Sequence, residues 1–360
     1  MGLAALTAGL VVLSAGCAGT GGGTRSQPPS SPASSTTPTV VPSAVPSEAG
    51  ATSGQSGPVT LAFGGDANAE GSAGSVLRRG MGATGEVLRS ADIALVNLET
   101  AIAQSRSGLV GQPKQFTFLA PPSYLDMLAR TGVDAVSVAN NHGLDFGRNG
   151  LDKTLAARSP DRPTMIGIGA DDTEAWKPWT TTVRGRRVVV FAASDVLDAG
   201  FDWAAGPGRS GMALTKTEAQ YERVRSAVRQ ARQEGPGDGV VVFLHAGVER
   251  VVCPTDRQRQ LARDLSADGA DVVAMSHAHV MQPATVLGNT AVIYGLGNFV
   301  FASQRAESAR TGVVTVRLEQ GRPPVIDMHS ATIRSGVPVL DSGAALGSAT
   351  RRWEGLMGRC

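Results

Sequence analysis

The sequence predicts an α/β fold built on a largely parallel or mixed sheet. Two observations carry this. Short runs rich in β-branched residues alternate with longer helix-like stretches along the body of the chain. Five of these runs end by delivering Asp, Asn, Glu or His, and in open α/β sheets ligands collect outside the carboxyl ends of the strands. A third observation limits where that body begins. No Phe, Trp or Tyr precedes Phe63, and Arg25 and Glu48 are the only charged residues from Ala18 to Pro58. A stretch with so little apolar surface cannot offset its ordering entropy, so the folded part is expected in roughly the last 300 residues. A body of that size buries about 75% of its unfolded surface and needs no disulfide framework.

The N-terminus reads as an address followed by a tether. Leu3 to Leu13 is apolar but too short to span a bilayer, which takes about 20 residues. It runs into Leu13-Ser14-Ala15-Gly16-Cys17, which resembles a bacterial lipobox, where the cysteine becomes the lipidated first residue of the mature chain. A plain secretory signal is the other reading. Residues 1–17 are therefore expected to be a signal peptide, and 18–58 a Ser/Thr/Pro/Gly-rich disordered tether reaching about 35 Å as a flexible coil. The chain is expected outside the cytoplasm, held at the membrane through Cys17. Cys253 and Cys360 remain; nothing in the sequence fixes their distance, and they are left unassigned.

In the body, Val59 to Phe63 leads into Gly64-Gly65-Asp66-Ala67-Asn68, and Asp92 to Val96 leads into Asn97-Leu98-Glu99. Ala135 to Ala139 leads into Asn140-Asn141-His142, Val240 to Leu244 into His245, and Asp271 to Ser276 into His277-Ala278-His279. Helices are expected over Pro122 to Arg130, Thr217 to Glu234 and Thr255 to Ala267. Arg184 to Arg187 lies between two β-branched runs and reads as a charged hairpin turn. Past Phe301, Gly312 to Leu318 and Val325 to Ile333 read as edge strands of the same body. The domain is expected over 59–335, and 336–360 as a C-terminal tail.

Four of the chain's five histidines (His142, His245, His277 and His279) sit at these strand ends. In an extended segment residues two apart project to one side, so His277 and His279 are expected to face one site. Imidazoles gathered with carboxylate and amide oxygens suit one or two divalent cations such as Mn, Fe or Zn. Paired ions lower the pKa of water and neutralise a phosphoryl oxygen, and an uncoordinated His can protonate a leaving group. The near balance of 33 Lys and Arg against 31 Asp and Glu, net +2, argues against nucleic acid as the partner. The glycines at Gly64 and Gly65 lack the spacing of a P-loop or a dinucleotide fingerprint.

At these residues the sequence resembles the bacterial CapA family, associated with poly-γ-glutamate capsule synthesis and itself similar to the calcineurin-like metallophosphoesterases. The matching stretches are Gly65-Asp66 with Asn68, Asn97-Leu98-Glu99, Ala139 to His142 with Asp145 and Gly147, His245 to Glu249, Asp271 through His279 to Gln282, and Tyr294 to Phe299. The resemblance implies a four-layer α/β/β/α sandwich. It implies that Asp66 and His279 hold one metal, that Asn141, His245 and His277 hold the other, and that Glu99 bridges them. Asn68 stands in place of a histidine ligand, and His142 is the catalytic acid. Asn97, Asp145, Glu249 and Asn298 are support or substrate contacts, Glu249 either bracing His245 or meeting substrate. Ala246 stands where the family often has Trp, which would open a wall of the pocket, and Ser276 replaces a usual glycine. The implied function is capsule or envelope-polymer synthesis or export through metal-dependent phosphoester hydrolysis. The alternative is a non-catalytic polymer-binding scaffold on the same fold. A nucleotidase is a third reading. The implied partners are an anionic envelope polymer or phosphoester substrate and other capsule-assembly proteins.

Overall fold

The computed structural model describes residues 57–302 and 305–360. The expected signal peptide, Cys17 and the tether as far as residue 56 lie outside the described residues.

Two sheets carry the body. From edge to edge, the larger runs Val337–Leu340, Val325–Arg334, Arg310–Leu318, Val59–Ala67, Ile93–Leu98, Ala135–Ser137 and Thr164–Ile166, with Asn298–Val300 joining the end of Val59–Ala67. Val59–Ala67 is its seam, parallel to Ile93–Leu98 on one side and antiparallel to Arg310–Leu318 on the other. The second sheet runs Ala284–Leu287, Thr290–Ile293, Val272–Ser276, Gly239–His245, Arg186–Ser194 and Trp179–Val183, parallel in its centre and antiparallel at both edges.

The period of two along each strand explains how these sheets stack. Leu61, Phe63, Ile93 and Leu95 of the first sheet share one apolar core with Val190, Val241, Phe243 and Val272 of the second. Phe63 and Phe243 meet across it with ring centroids 6.2 Å apart. The alternate residues Ala62, Ala94 and Val96 pack instead with Leu88, Leu125 and Leu151, on the helices Gly82–Ser90, Ser123–Arg130 and Gly147–Ala156. On the other sheet Val189, Val240 and Val242 pack with Tyr221, Val228 and Leu261 of the helices Glu218–Glu234 and Asp256–Ala267. The result is the expected α/β/β/α sandwich. Thr217 and Thr255 start the latter two helices with capping boxes closed by Gln220 and Gln258, each typically worth about 1 kcal/mol.

The expected charged turn is a two-residue hairpin, with Arg184 and Gly185 both at positive φ (51° and 78°) between Trp179–Val183 and Arg186–Ser194. Two expectations need correction. Arg310–Leu318 and Val325–Arg334 are both interior strands, not edges; Val337–Leu340 forms the edge instead. Residues 336–360 are more than a tail, because they supply that strand and the helix Gly343–Arg359. Gly343, Gly347, Gly355 and Gly358 lower the intrinsic helix propensity of this stretch. Tertiary contacts hold it, through Leu356, Trp353 and a disulfide between Cys253 and Cys360.

Candidate metal centre

The parallel strands of both sheets discharge their polar residues into one place. Val59–Ala67 changes register between Gly64 and Asp66, and such a bulge re-aims the side chain that follows. Glycine is required here: a Cβ on Gly65 would lie 1.9 Å from the Gly297 carbonyl oxygen. Asp66 is thereby turned toward the ends of Ile93–Leu98 and Val272–Ser276. Its Oδ1 accepts from Asn97 Nδ2 at 2.8 Å, and its Oδ2 lies 3.1 Å from His279 Nδ1. Asn140 donates to Asn97 Oδ1 at 3.1 Å and to the Leu98 carbonyl at 2.9 Å, tying the third strand end to the second.

Glu99 sits at the middle of this arrangement. It is fully buried, and neither carboxylate oxygen has a hydrogen-bond partner among the described residues. Three imidazole nitrogens face its Oε1: His279 Nε2 at 3.7 Å, and His142 Nε2 and His245 Nε2 at 3.9 Å. Glu99, His277 and His279 each bring one donor atom within 4.8 Å of the others. On the His245 side, Nε2 lies 2.8 Å from Asn141 Oδ1 and 3.1 Å from His277 Nδ1. His277 and His279 face one site, as expected, but not through extended backbone. Both have left past-strand backbone at positive φ, 100° and 55°. That conformation is uncommon for side-chain-bearing residues and costs on the order of 1–3 kcal/mol each.

Electrostatics sharpen the picture. Burial, reinforced by Asp66, holds the Glu99 carboxyl well above the usual carboxylate range. Burial pushes His245 well below the usual imidazole value and His277 down to about 4, with the neighbouring imidazoles adding to both shifts. For His279 burial acts in the same sense, but Glu99 and Asp66 outweigh it and hold the ring up to about 10. Neutral imidazoles present lone pairs, which is the form that ligates metal. His245 and His277 are held in that form beside Glu99, whose buried carboxyl group lacks a hydrogen-bond partner among the described residues, a costly arrangement. A divalent cation relieves that cost. The donor set fits it, with Glu99, His245, His277, His279 and Asn141 as the residues that would hold it.

The surrounding contacts fix these rings. His245 Nδ1 is met by Ser276 Oγ at 3.1 Å and Asn97 Nδ2 at 3.3 Å, so Ser276 is a brace where a glycine would offer nothing. Asn298 Oδ1 lies 2.8 Å from His279 Nδ1, leaving Nε2 toward Glu99. Asn298→Ala is therefore expected to weaken divalent-metal affinity about 10–100-fold with little change in fold. Competition with a fluorescent chelator measures it; unchanged affinity would show that Asn298 does not orient the ring.

His142 stands apart from these donors. Its Nδ1 is 2.7 Å from Asp145 Oδ2, its ring stacks on Phe118 at 4.1 Å, and its Nε2 points to the Glu99 side. Burial lowers its pKa, against the raising influence of Asp145. Asp145 is itself held by Lys114 at 3.1 Å and by the Phe118 N–H at 2.6 Å. Lys114 also pairs with Asp198 at 2.8 Å and donates to the Asn141 carbonyl. Sequence reasoning missed Lys114 and Phe118, because the loop that carries them has no periodic pattern. A cavity of about 630 Å³ opens over the site, walled in part by Lys114, Phe118, His142, Arg250, His279 and Phe301.

Asn68, Glu249, Ala246 and Asp66 are placed differently from the sequence reading. Asn68 lines that cavity, but its Oδ1 accepts from the Glu70 N–H at 3.1 Å. Glu249 is exposed, lines the cavity and pairs with Arg250 at 3.5 Å; of its two expected roles only the bracing of His245 is taken by others, Ser276 and Asn97. Ala246 is no part of the pocket wall; it is fully buried in the core between the second sheet and its helices. Asp66 meets His279 at Nδ1, the ring nitrogen opposite the one facing Glu99.

The chain is similar to several known proteins. The PGA biosynthesis protein CapA of Bacillus subtilis (strain 168) is 29% identical over 252 residues, covering 68% of this chain and 64% of that protein. The capsule biosynthesis protein CapA of Bacillus anthracis is 25% identical over 252 residues, covering 70% and 60%. The chain thus spans less than two thirds of the length of these curated relatives. Among solved structures, one described as a novel phosphatase from Mycoplasma pneumoniae superimposes with a TM-score of 0.48 at 12% identity, over 81% of this chain and 97% of that one. The family profile described as bacterial capsule synthesis protein PGA_cap matches residues 60–303, which include the residues of the Glu99 centre and most of the cavity lining. The chain is a member of that bacterial capsule synthesis family.

Proposed function

We propose that this chain serves capsule or envelope-polymer synthesis as a metal-dependent phosphoester hydrolase, anchored outside the cytoplasm through Cys17. The observation that carries the catalytic part is Glu99, a fully buried carboxylate with no hydrogen-bond partner among the described residues, faced by three imidazoles within 3.9 Å. When bound, a divalent cation there supplies positive charge that acidifies water and neutralises a phosphoryl oxygen. The chain's own residues do the rest. The cavity wall offers Lys114 and Arg250 to an anionic substrate, and Asp145 accepts from His142 Nδ1–H and favours the imidazolium, whose second proton sits on Nε2 facing the site. From there His142 donates a proton to the departing oxygen. The polymer assignment comes from the named roles of the relatives.

The test is metal analysis of the purified chain, with hydrolysis of bis(p-nitrophenyl) phosphate and p-nitrophenyl phosphate measured after Mn, Fe or Zn addition. Retained metal with turnover supports the reading; no metal and no turnover removes it. A second reading, a polymer-binding scaffold, is favoured by Asn68, whose amide oxygen is already engaged by Glu70. It wins if polymer assembly survives both His142→Ala and Asp66→Ala but not loss of the protein.

A further inference from the structure

A second cavity, of about 420 Å³, lies against the helix Gly343–Arg359. Its volume is within the range of pockets that take small organic ligands. Much of the wall is apolar: Val280, Met281, Met328, Trp353 and Leu356. Val280 and Met281 directly follow the metal-site residue His279, yet none of the Glu99-centre side chains lines this space.

Two residues of the wall each carry a polar side-chain atom that the fold leaves unsatisfied. Ser330 is 4% exposed, and its Oγ has no hydrogen-bond partner among the described residues. Strand register puts Gly312 opposite Ser330 and Val314 opposite Met328, so Ser330 and Met328 share a face. Trp353 Nε1, on the helix, is likewise buried and unpartnered. Buried hydroxyls and indole N–H groups ordinarily find acceptors. An indole N–H can only donate, and a serine hydroxyl can donate, so both suit an incoming acceptor. The lining also carries Arg310, Arg351, Arg352 and Arg359 against Glu307 and Asp341. Glu307 is taken by Arg310 at 2.6 Å, and Asp341 Oδ1 accepts from Thr332 at 2.8 Å. Arg352 and Arg359 form no ion pair with any described residue, so the local field is positive.

We infer that this cavity is a binding site for a small amphiphilic anion, an aliphatic body ending in a carboxylate. The carboxylate takes hydrogen bonds from Ser330 and Trp353 within the arginine field. The aliphatic part lies along Met281, Met328 and Leu356. Nothing in this inference draws on the reaction proposed for the Glu99 centre.

Decanoate is the probe, titrated into the full chain by calorimetry and tryptophan emission, with decanol lacking the charge and acetate lacking the body. Saturable decanoate binding is expected, at least about tenfold tighter than decanol or acetate. Ser330→Ala and Trp353→Phe are each expected to weaken it about tenfold. Ala349→Phe, which fills the cavity from the helix side, is expected to abolish it while metal content stays at the wild-type level. Absence of saturable binding, decanol binding equal to decanoate, or full binding in Ala349→Phe would each overturn the inference. Should the Ala349 variant fold poorly, as read by its circular dichroism, the Ser330→Ala and Trp353→Phe results decide alone.

Discussion

Glu99→Gln is expected to strip the protein of divalent cation and, at the same time, to make the metal-free protein harder to unfold. The two effects have one cause. In wild type the carboxylate is fully buried with no hydrogen-bond donor among the described residues, a cost that a cation or a proton offsets. The amide keeps the volume but removes the charge, so without metal the variant is expected to gain roughly 1–3 kcal/mol. With metal present the order reverses, since a ligand that binds only the folded state stabilises wild type in proportion to its occupancy. Metal affinity should fall by more than the roughly 10–100-fold typical of an outer-sphere partner. Elemental analysis after dialysis gives the first quantity, and urea unfolding with and without chelator gives the second. Wild-type metal content in the variant, or a less stable metal-free variant, would count against Glu99 as the central ligand.

His142→Ala is expected to lower turnover about 10²–10⁴-fold while leaving metal content unchanged. His142 is braced by Asp145 and Phe118 rather than by the other donors, so its loss leaves Asn141, His245, His277 and His279 in place. The size of the defect should depend on the leaving group. A p-nitrophenolate departs with little help from a proton, whereas an alkoxide needs one. The loss should therefore be larger for alkyl phosphoesters than for p-nitrophenyl ones. Equal losses on both substrates would assign His142 a binding role instead of proton donation.

The strands and their polar ends were readable from sequence for a physical reason. A parallel strand buried on both faces is an unbroken apolar run, and its first exposed position must change residue type abruptly. Asp66, Glu99, Asn141, His245 and His277 all sit at such a change, and the structure gathers them. Lys114 could not be read in this way, because it reaches Asp145 from a loop without periodicity. Ala246 misled because residue order does not say which side of a strand end faces the pocket. It follows His245 and turns into the helix-side core. The interior place of Arg310–Leu318 was hidden too, since alternation shows a strand's faces but not its neighbours. The final helix was obscured by its glycines, and the pairing of Cys253 with Cys360 by their distance along the chain, 107 residues.

That cross-link has a practical consequence. The covalent ring it closes contains His277, His279, Asn298 and the whole C-terminal helix. A protease that nicks the backbone once anywhere inside the ring releases no fragment. The clipped protein would run at its uncut mass on a denaturing gel and separate into two bands only when a thiol is added.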